Sequence, residues 1–322
     1  MKKTILFLAA LCMTVAANAT IFRVSNVTGS SAPYTSLDDA QGAASEGDTI
    51  MVDGSSDSYE NFTIKKRITL IGPGYWLLSN NSMNEVLHPA VFLSITVNKE
   101  AEATVIEGVY VTHSITTNAP KTVVKRCRIF DESYTGGGLF LNAKNCVAHQ
   151  NIVDDIKTKA FYVGDYFDQI TNNIILGGIG SIGGSYIAYN TFIGNEDYSD
   201  HSIFSACFSD VINSTIEYNI LPNEEVGTNG WNDIESNNFQ NNYLYGPLIE
   251  NQLLPWRKDI KDTEVKEVTL THTEAGYGAF AGNDPYVISG IPAGPVITDM
   301  VIPTTVEMGS KLNVTIKVDI SR

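Results

Sequence analysis

Basic residues are scarce in this 322-residue chain, with Lys and Arg numbering 21 against 36 Asp and Glu, for a formal net charge of −15. That balance excludes a nucleic-acid partner gripped by its phosphates, because an acidic surface repels them instead of displacing their counterions. Charge of either sign is sparse at 18%, below the usual quarter of residues. Cysteine is limited to four residues, and the absence of any Cys-x-x-Cys or Cys/His spacing excludes a structural zinc site. No apolar run after Ala19 is long enough to cross the hydrocarbon of a bilayer. The Leu-x-x-Leu-x-Leu frame of leucine-rich repeats is missing as well.

What remains is still enough to fold. Hydrophobic residues reach 43% and aromatics 10%, which supports a sizeable core and excludes a purely disordered chain. Gly (26), Tyr (15) and abundant Asn favour β-structure interrupted by many turns.

The first nineteen residues, MKKTILFLAALCMTVAANA, read as a secretory signal. Lys2 and Lys3 form the positive start, Ile5 to Ala17 the apolar stretch, and Ala17-Asn18-Ala19 the cleavage site. The apolar stretch is too short for a membrane anchor. The expectation is a protein secreted or held in the cell envelope, at the surface or in the periplasm. Its mature form keeps 19 basic and 36 acidic residues, a net −17. Cys127, Cys146 and Cys207 remain, an odd number that leaves at least one thiol unpaired in an oxidising compartment. Each sits in an apolar, strand-like stretch and reads as a small buried hydrophobe.

Order along the mature chain begins with a helix. Ser36 or Thr35 caps it, Asp38 and Asp39 occupy its first turn, and Leu37 and Ala40 recur at helical spacing. Short strands follow, Thr49 to Val52, Phe62 to Ile64 and Ile68 to Ile71. From about Thr104 the pattern becomes periodic, with apolar runs that open on Asn at positions 151, 173, 190, 219 and 242 and one earlier run at Arg128. A period near 22 residues with variable insertions is a solenoid signature. Strands of three to five residues leave no space for a helix in each repeat, so a parallel β-helix fits best. A β-sandwich is the competing architecture, and its strands are usually longer.

In a β-helix, equivalent residues of stacked coils form rows about 4.8 Å apart. Ile, Val and Leu rows fill the interior, and a turn Asn bonds its amide to the next coil. The spacing suggests one sheet stacking 138–141, 160–163, 178–181 and 202–205, and a second stacking 145–148, 169–171, 185–188 and 215–217. After Leu254 the periodicity ends. Residues 255–322 are expected to form a C-terminal cap or appendage, with Val268 to Thr271 as a strand and two closing strands around 296–302 and 311–318.

The order SLDDAQGAASEGDTIMV followed by SYENFTIKKRITLIG resembles the cap and first coil of secreted right-handed parallel β-helix proteins, the pectin lyase-like superfamily. The coils with Asn-apolar-apolar turns extend that resemblance to Leu254. The tail GYGAFAGNDPYVISGIPAGPVITDM resembles those on secreted β-helix proteins of Bacteroides and relatives. The resemblance implies an all-β, right-handed solenoid over 20–254 with an N-terminal helical cap and a small C-terminal β appendage.

It does not fix an activity. Asp57-Ser58-Tyr59-Glu60 is similar to the Gly-x-Tyr-x-Glu segment of pectin methylesterases, but their later catalytic motifs are missing. The Asn-Thr-Asp and Gly-His-Gly of galacturonases are missing too, as is an Asp-x-Asp ladder beside a basic pair for a lyase. Three constellations stand out instead. Asp154 and Asp155 with His149, Lys157 and Lys159 form an acid–base patch. Glu196, Asp197, Asp200 and His201 lie in the longest insertion, whose carboxylates would suit Ca²⁺. Phe140, Tyr162 and Phe204 would form an outward aromatic row, on the face that binds substrate in the family. The expected function is binding of a polysaccharide or cell-surface glycan, or a structural role in the envelope. The alternative is a divergent polysaccharide lyase or glycoside hydrolase.

Overall fold

The computed structural model describes residues 19–77, 88–131, 136–158, 166–193, 207–222, 236–245 and 260–301, together with 305, 311 and 314–321. Among them the chain winds as a parallel β-helix. One sheet of ten strands runs from Ile21–Val24 through Thr49–Val52, Thr69–Ile71 and onward to Asn238–Gln240, every pair parallel. A second sheet of thirteen strands supplies the other two faces, which share the long strands Val91–Val97 and Tyr110–Thr117.

One coil shows why the sequence takes this path. Asn145 (φ 59°) turns the chain, Cys146 points inward, and Val147–His149 forms a strand. Gln150 (φ 56°) then turns it again, Asn151 points inward, and Ile152–Val153 and Ile156–Lys157 follow. Left-handed non-glycine residues recur at the second corner in Arg126, Gln150, Asn172, Tyr189, Tyr218 and Asn241. Each costs about 1–2 kcal/mol in isolation.

The ladder at that corner offsets the cost. Asn151, Asn173, Asn190 and Asn219 each donate both backbone N–H and Nδ2 to the side-chain oxygen of the next asparagine, at 2.8–3.0 Å. Their Nδ2 groups also reach carbonyls of the preceding coil, such as Val124 and Ala148. The asparagine rows expected from the spacing are therefore present. A second ladder occupies the other corner. There Cys146 N–H donates to Asp168, Asp168 to Ser185, Ser185 to Ser214 and Ser214 to Asn237.

Inside, Ile50, Leu70, Ile106, Val124, Ala148, Ile170, Ile187 and Ile216 stack in register, almost fully buried. Burial of each large aliphatic side chain contributes about 1.5–3 kcal/mol. Cys127 and Cys146 belong to this core as free thiols, and burial pushes them up to about 12 and about 11. At the N-terminal end helix α1 (Leu37–Ala43), capped by Ser36, buries Leu37, Ala40 and Gln41. Gln41 bridges the carbonyl of Thr63 and the N–H of Lys65.

Two expectations are corrected. Val268 to Thr271 is not a strand. It lies in helix α2 (Asp262–Glu274), with acids in the first turn, His272 in the last, and Glu264 accepting from the Lys261 N–H. Val265 and Thr269, four apart, face inward, so helical spacing prevails over the β-branched composition. The register of one face also differs. Leu139 pairs with Ile156, Ile156 with Ile179 and Ile179 with Phe208. The chain turns in only two residues after Val153, so 156–157 takes the place assigned to 160–163, and Phe208–Ser209 the place of 202–205.

From α2 the chain returns along the solenoid. Gly278 N–H donates to the Tyr218 carbonyl, Asn172 Nδ2 to the carbonyls of Ala279 and Ala281, Gln150 to Asp284 and Pro285, and Arg126 to Ile291. This strap, residues 276–294, descends the row of left-handed corners. With α2 it covers an outer apolar layer of Tyr75, Tyr110, Phe130, Ile152, Ile174 and Leu176. An antiparallel pair, Gly294–Val301 with Thr315–Ser321, ends the described chain as expected. No helix among the described residues is long and apolar enough to cross a membrane.

Candidate functional site

Asp154 and Asp155 form the two-residue bend between faces, and both carboxylates hold backbone. Asp154 Oδ2 accepts from the Asp131 N–H at 2.7 Å, and Asp155 Oδ1 from the Gly178 N–H at 2.9 Å. A Cβ on Gly177 would stand 2.2 Å from that Oδ1, so a side chain there would push the carboxylate off the Gly178 N–H. Asp155 Oδ2 also meets Lys157 Nζ at 3.4 Å. On the same corner, His113 Nδ1 lies 3.2 Å from Asp131 Oδ1, with Asp131 buried and the imidazole half-exposed. Asp131 Oδ2 accepts from the Gly137 N–H at 2.8 Å. This His–Asp pair escapes a reading by sequence proximity because eighteen residues separate its members.

His149 belongs to a different face and does not join Asp154. Its Nε2 is 3.0 Å from Asp284 of the strap, and its Nδ1 faces Thr171. Burial, the largest influence, holds its pKa below the usual value, while Asp284 pulls the other way.

Phe140 points away from the interior row of Leu139 and Leu141, yet it retains only 7% exposure. Lys157 Nζ stands over its ring at 5.5 Å. From Thr116 of the coil before it, the outward row continues through Phe140 to Lys157, Gly180 and Ser209. Tyr162, Phe204, Glu196, Asp197 and Asp200 lie outside the described residues. Among the described residues no group of three His, Cys, Asp or Glu is placed to hold a metal ion.

The open aromatic surface is on the ten-stranded sheet. Tyr186 is 37% exposed, and its hydroxyl donates to Glu217 Oε1 at 3.1 Å. Gln240 Nε2 donates to the other oxygen of Glu217, also at 3.1 Å. Tyr189 and Tyr218, both left-handed corner residues, stack beside them with centroids 5.1 Å apart and planes 8° from parallel. Partial burial, then the Glu217 hydrogen bond and charge, push the Tyr186 phenol up to about 12, so it stays a donor at neutral pH. A flat ring, a carboxylate and an amide on successive coils can meet both the apolar face and the hydroxyls of a sugar. The signal was in the alternation, since Ile187 points inward and Tyr186 must therefore point outward.

A separate cleft of about 810 Å³ lies at the N-terminal end, between the first coils and Pro292–Gly294. Met51, Ile71 and Pro292 give it an apolar lining, and the Arg23–Asp53 pair at 2.8 Å closes one side.

No protein-family model, curated protein or solved structure matches this chain.

Proposed function

We propose that the protein is an exported β-helix, related to the pectin lyase-like superfamily, that binds a glycan on the outer face of its ten-stranded sheet. The observation that carries this reading is the shared recognition of Glu217 by Tyr186 and Gln240 beside an exposed phenol ring. The signal-like first nineteen residues support export, and the superfamily resemblance supports carbohydrate as the ligand class. Retention of the protein on immobilised polysaccharides tests the reading. Tyr186→Ala should lose retention and Tyr186→Phe should keep part of it, because the ring stacks and the hydroxyl orients. Equal retention of wild type and Tyr186→Ala on every matrix would remove this face from consideration.

The His113–Asp131 pair favours a second reading, a divergent polysaccharide lyase or hydrolase working at the corner that carries Asp154, Asp155 and Lys157. Asp131 holds one imidazole nitrogen and leaves the other on a half-exposed ring, an arrangement suited to proton transfer. Release of unsaturated products or reducing ends from a polysaccharide panel, abolished in His113→Gln, would establish it. No turnover by the wild-type protein would rule it out.

A further inference from the structure

The Tyr186 patch is part of a longer strip with a direction. In the parallel register, Gln169 pairs with Tyr186, Tyr186 with Thr215 and Thr215 with Asn238, while Glu217 pairs with Gln240. These residues alternate with the buried row Ile170, Ile187 and Ile216, so they occupy the outer face. Gln169, Tyr186, Asn238 and Gln240 are exposed, and Thr215 and Glu217 are half-buried. Three coil steps at about 4.8 Å span roughly 14 Å, which is longer than one sugar ring. Each step offers a hydroxyl or an amide that can donate and accept. Tyr189 and Tyr218 stand along the strap side and give the strip a wall.

Charge changes along this face. Earlier coils carry Glu107 and Lys125, paired at 3.0 Å, and then His149. From Gln169 to Gln240 the outer positions of the strands hold no lysine or arginine, and Glu217 is their acid. At these strand positions an anionic sugar would meet a carboxylate and no cation, on a chain that is already strongly acidic.

We infer that this strip is an array of subsites for a linear, uncharged oligosaccharide lying along the solenoid axis, across the strands. The inference rests on the glycan reading above and specifies its ligand. An uncharged chain of equatorial hydroxyls meets one polar group per coil, and its apolar ring faces meet Tyr186 and the tyrosine wall.

Titration calorimetry of the purified protein with gluco-, manno- and xylo-oligosaccharides of one to six units tests it, with oligogalacturonates of equal length as the anionic comparison, with and without Ca²⁺. Affinity for at least one neutral series should rise from the monosaccharide and level off once the strip is filled. Asn238→Ala and Gln169→Ala, at the two ends, should each weaken the longer ligands by about tenfold, on the order of one hydrogen-bonding contact, while leaving the disaccharide little changed. Oligogalacturonates that bind as well as the neutral series, and are lost in Tyr186→Ala, would overturn the ligand class while sparing the glycan reading. A monosaccharide that binds as tightly as the hexamer would overturn the array. Absence of binding to every sugar would overturn the glycan reading itself. Circular dichroism of each variant separates lost binding from lost folding.

Discussion

Asn173 donates its backbone N–H to the side-chain oxygen of Asn190 at 2.9 Å, seventeen residues on, and Asn190 makes the same contact to Asn219 at 2.8 Å, twenty-nine residues on. Chain length between coils is therefore free to vary while the corner stays fixed. Insertions leave from the bends, where lengthening a loop costs only slowly increasing entropy. The ladder makes the register independent of them.

Asn190→Ala should be among the most damaging single changes in the solenoid. It strips the acceptor from both the N–H and Nδ2 of Asn173, and it leaves the carbonyls of Ile170 and Ala188 without the Asn190 amide. Each unsatisfied buried group costs about 1–3 kcal/mol, so the expected loss is at least ~3 kcal/mol in equilibrium denaturation. The surface change Asn142→Ala, which breaks a 3.1 Å bond to Asn118, should stay within about 0.5 kcal/mol. Similar losses for the two variants would mean that the ladder contributes no more than a surface contact.

The strap depends on a residue without a side chain. Gly290 sits at φ 56°, and a Cβ there would lie 2.3 Å from the Arg126 carbonyl and 2.4 Å from a Tyr75 ring carbon. Gly290→Ala should lift the strap from the corner row, because backbone on one side and a buried ring on the other leave no room to shift. Limited proteolysis should then cut within 276–294 well before the coils, at unchanged far-ultraviolet dichroism of the β-helix. An unaltered cleavage pattern would show that the strap tolerates the clash.

Much of this architecture was legible because the asparagine phase and the inward aliphatic rows repeat. Ile170, Ile187 and Ile216, with Asn173, Asn190 and Asn219, fix one sheet and one corner from spacing alone. The face through Leu139 was less legible. Its strands shrink to pairs such as Ile156–Lys157 and Ile179–Gly180, too short to show alternation, and aromatic runs nearby drew the register downstream of Ile156 in one coil and upstream of Phe208 in another. Helix α2 was obscured by Val268, Thr269 and Thr271, whose β-branched side chains suit strands, although Val265 and Thr269 carried the helical spacing. Of the candidate site, Asp154 and Asp155 were found as residues but not as backbone clamps, because the N–H groups they hold belong to other coils.

His149 offers a titration that separates burial from its ion pair. Burial disfavours the imidazolium and is the larger influence, while Asp284 at 3.0 Å favours it. Asp284→Ala should therefore move the His149 pKa further down, as read by proton NMR. Its cost in stability should stay below about 1 kcal/mol, since the Asp284 side chain is largely exposed and such pairs contribute little. The folded state resists protonation of this residue, so its contribution to stability is lost as pH falls through the unfolded value of 6.5. An upward shift in Asp284→Ala would reverse the assignment of the two influences.

Asp168 gives the opposite slope. It is buried in the second ladder, where one oxygen accepts from the Cys146 N–H at 2.7 Å and the other has no hydrogen-bond partner among the described residues. Burial pushes its carboxyl up from 3.8 to about 7. The folded state thus binds a proton that the unfolded chain releases near 3.8, and stability falls as pH rises from there to about 7. The loss is up to about 4 kcal/mol, at about 1.4 kcal/mol per unit. Asp262, pushed up to about 6 by burial, slopes the same way over a narrower window, and His149 slopes against both. A comparison of Asp168→Asn with wild type cancels those two. Asparagine keeps the acceptor for Cys146 and carries no charge, so the variant should be the more stable protein at pH 8. Its advantage should shrink steadily toward pH 4 in denaturant titrations. A difference that stays constant across that range would show that Asp168 is already ionised in the folded protein at low pH, with its charge satisfied by the ladder.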